Sequence, residues 1–252
     1  MPFAHEKLVV YQKGLDCFAS IRGLLTSWSR RHAFVDHLSR ATESILFNLV
    51  EAVRLPETAK KQLTLDYAVG STCECAACLD IAMLKGVLDA VRGKGEKRHL
   101  LEVCRMLIGL RKSWARPRVA DGDCPYGSAE SVGEESAVFH HETLDMYSTM
   151  ADCYRWLVST DAGQHLRTAS DRSVDALATR ILLSIAEGNG RYAELSRQTF
   201  LDTANAAAAK MAVSLDMGVR RGVWHAHEVA QAKDLLLRVG QMTARRGYAD
   251  PG

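Results

Sequence analysis

Adding 136 to a residue number in the first half of this 252-residue chain repeatedly returns the same residue in the second half. Phe3, His5, Glu6, Leu8 and Tyr11 return as Phe139, His141, Glu142, Leu144 and Tyr147, and Asp16-Cys17 as Asp152-Cys153. Without a gap, the same shift pairs Gln62 with Gln198, Leu65-Asp66 with Leu201-Asp202, and Leu79-Asp80 with Leu215-Asp216. It also pairs Gly86-Val87 with Gly222-Val223, Leu100-Leu101 with Leu236-Leu237, and Met106 with Met242. Such a repeat limits the fold more than any single motif, because every element must be buildable twice. It reads as a tandem duplication, one unit over residues 1–115 and a second over 139–252. Residues 116–138 have prolines, glycines, serines and acids but no apolar periodicity, which makes them a linker.

Within the first unit the apolar residues recur at helical spacing. Leu8, Tyr11, Leu15, Phe18 and Leu25 predict a helix over 3–29, and Leu38, Ile45, Leu49 and Val53 a second over 31–53, stopped by Pro56. A third is expected over 57–92 and a fourth over 96–114, separated by a turn at Gly93-Lys94-Gly95. Short connections between amphipathic helices favour antiparallel neighbours. The expected fold is therefore all-α, two tandem up-down four-helix bundles of about eight helices. Only five prolines and a 7% aromatic content agree with a helical chain.

No run of about 18 apolar residues and no signal-sequence pattern stand out, so a cytoplasmic location is expected. The seven cysteines are odd in number and fall in apolar helical pattern, which suits reduced core thiols better than disulfides. Net charge is only +2 but unevenly spread. Residues 1–120 hold 19 Lys and Arg against 12 Asp and Glu, residues 121–138 hold five acids and no base, and residues 139–252 balance at 13 each.

The basic surplus gathers on the fourth helix. At 100° per residue, Lys94, Arg98, Arg105, Lys112 and Arg116 fall within about 40° of one another, with Lys97 close by. Their counterparts Ala230, Asp234, Gln241, Tyr248 and Gly252 carry no base. A one-sign stripe suits phosphate oxygens, which demand cations but no exact geometry, so backbone or shape is what it can recognise. The bland alternative is a solvated bundle face. No aromatic residues alternate with the bases, which argues against a platform for stacked single strands.

The stretch Arg40-Ala41-x-x-Ser44-Ile45-x-x-Asn48-Leu49-Val50-Glu51-Ala52, completed in the second unit by Ile185-Ala186-Glu187-Gly188, resembles a known pattern. It is similar to the R-A-x-x-S-I-x-x-N-I-A-E-G motif of four-helix bundle proteins encoded in 23S rRNA intervening sequences, a family that includes accessory variability proteins of diversity-generating retroelements. The opening from Phe3 to Lys13, and Leu65-Asp66-Tyr67-Ala68-Val69-Gly70-Ser71-x-x-Glu74, fit the same family. The first unit lacks the motif's glycine, having Ala52, and the second lacks the Gly-Ser, having Ala206-Ala207. The resemblance implies a non-enzymatic accessory or scaffold protein, usually a small ring of single bundles, that binds RNA and a reverse transcriptase. It also implies a homo-oligomer here.

Glu51 and Glu187 are expected to accept hydrogen bonds from a neighbouring helix or from the start of the third, with Gly188 and Gly190 leaving the helix through positive φ. Arg40, Ser44, Asn48, Glu51, Glu187 and Gly188 are thus motif residues with a structural role. Cys73-x-Cys75-x-x-Cys78 lacks a second ligand pair, and His225-x-His227 diverges on a helix, so no metal site is expected. His140 and His141 are placed beside a helix start. No catalytic motif and no cofactor-binding motif occurs. The leading expectation is an RNA-binding scaffold acting through the basic face of the first unit; the rival is a purely structural oligomeriser that binds protein only.

Overall fold

The computed structural model describes residues 3–115, 138–159 and 169–247, all-α with eight helices and no strand among them. In the first half a 3₁₀ turn, Ala4–Lys7, leads into α1 (Val9–Leu25), α2 (Ala33–Arg54), α3 (Thr58–Leu84) and α4 (Ala90–Ala115). In the second, the turn His140–Thr143 leads into α5 (Asp145–Ser159), α6 (Ala169–Asn189), α7 (Glu194–Arg220) and α8 (Ala226–Gly247). Both turns and all four helix starts repeat at the offset of 136. Arg116 and most of the expected linker lie outside the described residues.

The helix ends follow from local chemistry. Leu55 precedes Pro56 and takes an extended conformation, because a residue before proline is crowded out of the α region, so α2 stops at Arg54. The expected first helix is broken at Leu8, which is extended between the 3₁₀ turn and α1. The turn between α3 and α4 lies at Gly86, not at Gly93–Gly95. Gly86 and its counterpart Gly222 alone carry positive φ, 67° and 72°, among the described residues. Behind each, the next amide reaches back five residues, Val87 N to Ala82 O and Val223 N to Gly218 O at 2.9 Å, which caps the helix in a left-handed turn. Gly93 and Gly95 lie inside α4, and Gly93 is small because Met83 packs against it.

In each half the helices pack in a closed cycle, α1–α2–α3–α4 and α5–α6–α7–α8, the four-helix arrangement that short connections favour. Phe34, Leu38, Leu49, Leu65 and Leu107 fill the first bundle, and Met150, Tyr154, Leu157, Met211 and Leu215 the second. The bundles are joined: α6 lies along α3 and touches α2, and the buried side chains form one continuous core. The close approach is made by glycine, since a Cβ on Gly190 would stand 2.9 Å from the Gly70 Cα. Helix α3 is long and apolar enough by composition to cross a membrane, but 72% of that window is buried inside the protein.

Candidate nucleic-acid interface and the polar cleft at the bundle junction

Helix α4 carries two acids, and both are engaged by α1. Glu96 accepts a 2.6 Å hydrogen bond from Ser20, and Glu102 pairs with Lys13 at 3.1 Å. Lys94, Arg98, Arg105 and Lys112 are all exposed, and none makes an ion pair among the described residues. Over the roughly 27 Å from Lys94 to Lys112 the outer face of α4 is thus cationic and unneutralised. Arg111, on another face, pairs with Asp66 at 2.5 Å and lies 4.1 Å from the centre of the Tyr192 ring.

Lys97 does not join the stripe. It is 9% exposed, and its ammonium donates to Asp80 at 2.5 Å and to Glu142 of the second bundle at 2.8 Å. Tyr147 donates to the other Asp80 oxygen at 2.8 Å. Burial works against the Lys97 charge, but the two carboxylates outweigh it and hold the lysine above its ordinary pKa. Asp80, His141 and Glu142 offer ligand atoms within 4.8 Å of one another, a grouping that suits a cation, and Lys97 supplies that positive charge. His141 is fully buried, edge-on to Tyr147, with no hydrogen bond to either ring nitrogen.

Burial, then Lys97 and His140, push the His141 imidazole down from 6.5 to about 3. The unfolded chain therefore takes up a proton near pH 6.5 that the folded chain refuses, so stability is present above that pH and is lost as pH falls towards 3. Between about pH 7 and pH 4.5 this one group costs about 2.5 kcal/mol. Urea unfolding at the two pH values checks it: His141→Phe loses that much less stability than the parent over the same interval.

At the other end of the junction the motif residues converge. Asn48 Nδ2 donates to Ser44 O at 2.8 Å and Ser44 Oγ at 2.9 Å, and Ser71 Oγ donates to Ser44 Oγ at 2.9 Å. Arg40 pairs with Asp36 at 2.9 Å, and Glu74 lies 3.0 Å from His37 Nδ1. Glu187 and Arg191, from the end of α6, close the other wall through a short ion pair, giving a polar cleft of about 340 Å³ built by both bundles. The Arg191 guanidinium lies 4.7 Å from the Tyr67 ring centre and 5.1 Å from that of Phe200, with Nε and Nη1 buried and unbonded. Burial and then Glu74 push the Glu187 carboxyl up, against the pull of Arg191.

Two expectations for the motif need correcting. Glu187 takes its hydrogen bond from Arg191 one turn on rather than from another helix, and Glu51 is exposed, its carboxylate making no hydrogen bond among the described residues. Gly188 and Gly190 do not leave the helix through positive φ. They make room: a Cβ on Gly188 would meet Phe200 Cβ at 2.9 Å, as one on Gly190 would meet Gly70. Cys73, Cys75 and Cys78 are free and buried, with Cys17, Cys104 and Cys153. Burial pushes the Cys17 thiol up to about 12, so it behaves as core. His225 and His227 stack on each other at 5.8 Å on an exposed turn and helix start.

The family model of the 23S rRNA-intervening sequence protein matches residues 6–109. Residues 6–109, most of the first bundle, are similar to this family. Searches of curated proteins and of solved structures return no match to the chain. In the first bundle, motif residues Arg40, Ser44 and Asn48 face the cleft, and the stripe runs along its last helix. Arg191, Tyr67 and the buried role of Lys97 escaped sequence reasoning. The repeat held a signal for the last: Lys97 is the one stripe base whose counterpart, Lys233, is also basic, and Lys233 pairs with Asp216 as Lys97 does with Asp80.

Proposed function

We propose that the protein is a non-enzymatic scaffold that binds the phosphate backbone of structured RNA through Lys94, Arg98, Arg105 and Lys112, with Arg116 continuing the row in sequence. The observation that carries this reading is the pairing pattern on α4: both acids are turned to α1 while the four bases face solvent unpaired. Four cations spaced along one straight helix attract phosphates wherever the backbone runs alongside, and they hold no bidentate geometry for base edges. The family description, a protein of 23S rRNA intervening sequences, supports an RNA context. A reverse transcriptase bound to its template is the protein partner we propose for such a scaffold. Against catalysis, the buried Asp66 and the half-buried Asp80 and Glu187 are each neutralised by a lysine or arginine in place.

The test is binding of purified protein to an RNA hairpin over a salt series. The parent is expected to bind at micromolar or tighter Kd at low salt, with log K falling against log salt at a slope of about −3 to −4, as four neutralised phosphates require. Arg98→Glu, Arg105→Glu and Lys112→Glu together weaken binding at least about a hundredfold while leaving the helical signal intact, since all three side chains are exposed. Unchanged affinity in the triple variant overturns the reading.

A further inference from the structure

The polar cleft where the bundles meet holds more hydrogen-bond acceptors than its own side chains satisfy. On α2, Arg40, Ser44 and Asn48 stand one turn apart, each about 40° round from the last, and so line one wall. Glu74 on α3 and Glu187 on α6 stand in the other walls at 17% and 18% side-chain exposure, while Arg40 at the rim is 64% exposed. Glu74 Oε1 lies 3.0 Å from His37 Nδ1, and Glu187 Oε1 accepts from Arg191. The second oxygen of each carboxylate has no hydrogen bond among the described residues. Asn48 makes both its bonds through Nδ2, one of them to the Ser44 carbonyl, which can only accept, so Oδ1 is fixed on the other side and is open too.

Arg191 cannot satisfy them. It is 7% exposed and fixed between Tyr67 and Phe200, engages Glu187 through Nη2, and keeps Nε and Nη1 buried without a hydrogen bond. Its Nε lies against α3, since a Cβ on Gly70 would stand 2.9 Å from it. Two carboxylates thus line the cleft against one buried guanidinium, and burial and then Glu74 push the Glu187 carboxyl up despite Arg191. Packing does not require this arrangement. The second bundle forms the same helices with Arg180, Ala207 and Lys210 in place of Ser44, Ser71 and Glu74.

We infer that the cleft binds the ammonium head of a small primary alkylamine, held by Glu74 and Glu187 and oriented by Asn48 Oδ1. An ammonium brings three N–H donors and one positive charge, which suits three separate acceptors on α2, α3 and α6, two of them anionic. An anion of the same size meets two carboxylates, and the donors Asn48 Nδ2, Ser71 Oγ and Arg191 Nη2 are already engaged inside the site. Ala41 and Tyr67 are the apolar members of the lining and are left for the carbon chain. A volume of about 340 Å³ is at the small end of ligand sites, so the amine is a small molecule. Because its acceptors come from both bundles, the bound amine also ties the junction, a role separate from the phosphate-binding face on α4.

Calorimetric titration of the full chain with n-butylammonium, at about pH 7 where an alkylamine is charged, tests this without RNA, so it stands or falls separately from the phosphate-binding reading. Binding is expected with a dissociation constant of about 1 mM or tighter, and the amine raises the thermal midpoint. Butyltrimethylammonium, with the same charge and chain but no N–H, and acetate each bind at least about tenfold more weakly. Glu74→Gln and Glu187→Gln each weaken butylammonium binding about tenfold or more, whereas Glu51→Gln, at the exposed repeat counterpart of Glu187, leaves it unchanged. Glu74 pairs only with His37 of its own bundle, so Glu74→Gln keeps the junction even where Glu187→Gln loosens it, and circular dichroism checks the folding of both. No binding at about 10 mM amine, equal binding of the trimethylated ion, or full affinity in folded Glu74→Gln overturns the inference.

Discussion

Lys97→Met lowers the unfolding free energy by about 3–5 kcal/mol, while Lys233→Met at the repeat position costs less than about 1 kcal/mol. The two lysines make the same ion pair with the same aspartate of the repeat, and differ in what lies above them. Over Asp216–Lys233 there is solvent, which hydrates either charge when its partner is removed. Over Asp80–Lys97 lie Glu142, Tyr147 and the unbonded ring of His141, so removing the ammonium leaves two carboxylates facing each other away from water. Burial already pushes the Asp80 carboxyl up with Lys97 in place, and without it the folded pKa rises further. A raised folded pKa means that stability is lost as pH rises through it, so the deficit of Lys97→Met is greatest near neutrality and shrinks below about pH 4. Denaturant unfolding of both variants at the two pH values checks size and sign. Equal losses for the two lysines would mean that the junction does not exclude water.

Gly190→Ala is expected to cost about 2 kcal/mol, and Gly95→Ala to stabilise by about 0.5 kcal/mol. A methyl on Gly190 would meet Gly70 Cα at 2.9 Å and Cys73 Sγ at 3.0 Å, and the first of these is backbone, which cannot swing aside. Helices α3 and α6 must separate, and Tyr67 and Phe200 then lose their hold on the Arg191 guanidinium between them. Gly95 has nothing within 4 Å of its missing Cβ and sits inside α4 with ordinary helical φ, so alanine there only restricts the unfolded chain. Thermal melts of the two variants should shift in opposite directions, by several degrees down for Gly190→Ala.

Much of this architecture is written in the repeat. The offset that pairs Gly86 with Gly222 marks the turns, whereas Gly93 and Gly95, whose counterparts are Val229 and Gln231, are interior to α4. Recurrence, not the number of glycines, marks the turn: Gly93 and Gly95 lie about two helical turns beyond Gly86. Helical spacing located the stripe but could not tell Lys97 from Lys94, because about 60° around the helix decides whether a side chain meets solvent or the second bundle. The cleft was legible only in halves: one unit kept the Arg-Ser-Asn and Gly-Ser residues, the other kept Glu-Gly, and nothing in either half says that they face each other. Periodicity reports which side of a helix is apolar, not which bundle will cover it.

The continuous core has a consequence for synthesis. When Ala115 leaves the ribosome the first bundle has all its helices, yet α3 still awaits the α6 that packs along it. About 70 more residues must be added, which at cellular elongation rates takes about 4–15 s. For that interval the nascent first bundle displays apolar α3 surface that the finished protein buries under α6. If the α6 of a neighbouring chain on the same message reaches α3 first, the junction is made between two copies instead of within one, the domain-swapped product that tandem repeats are prone to.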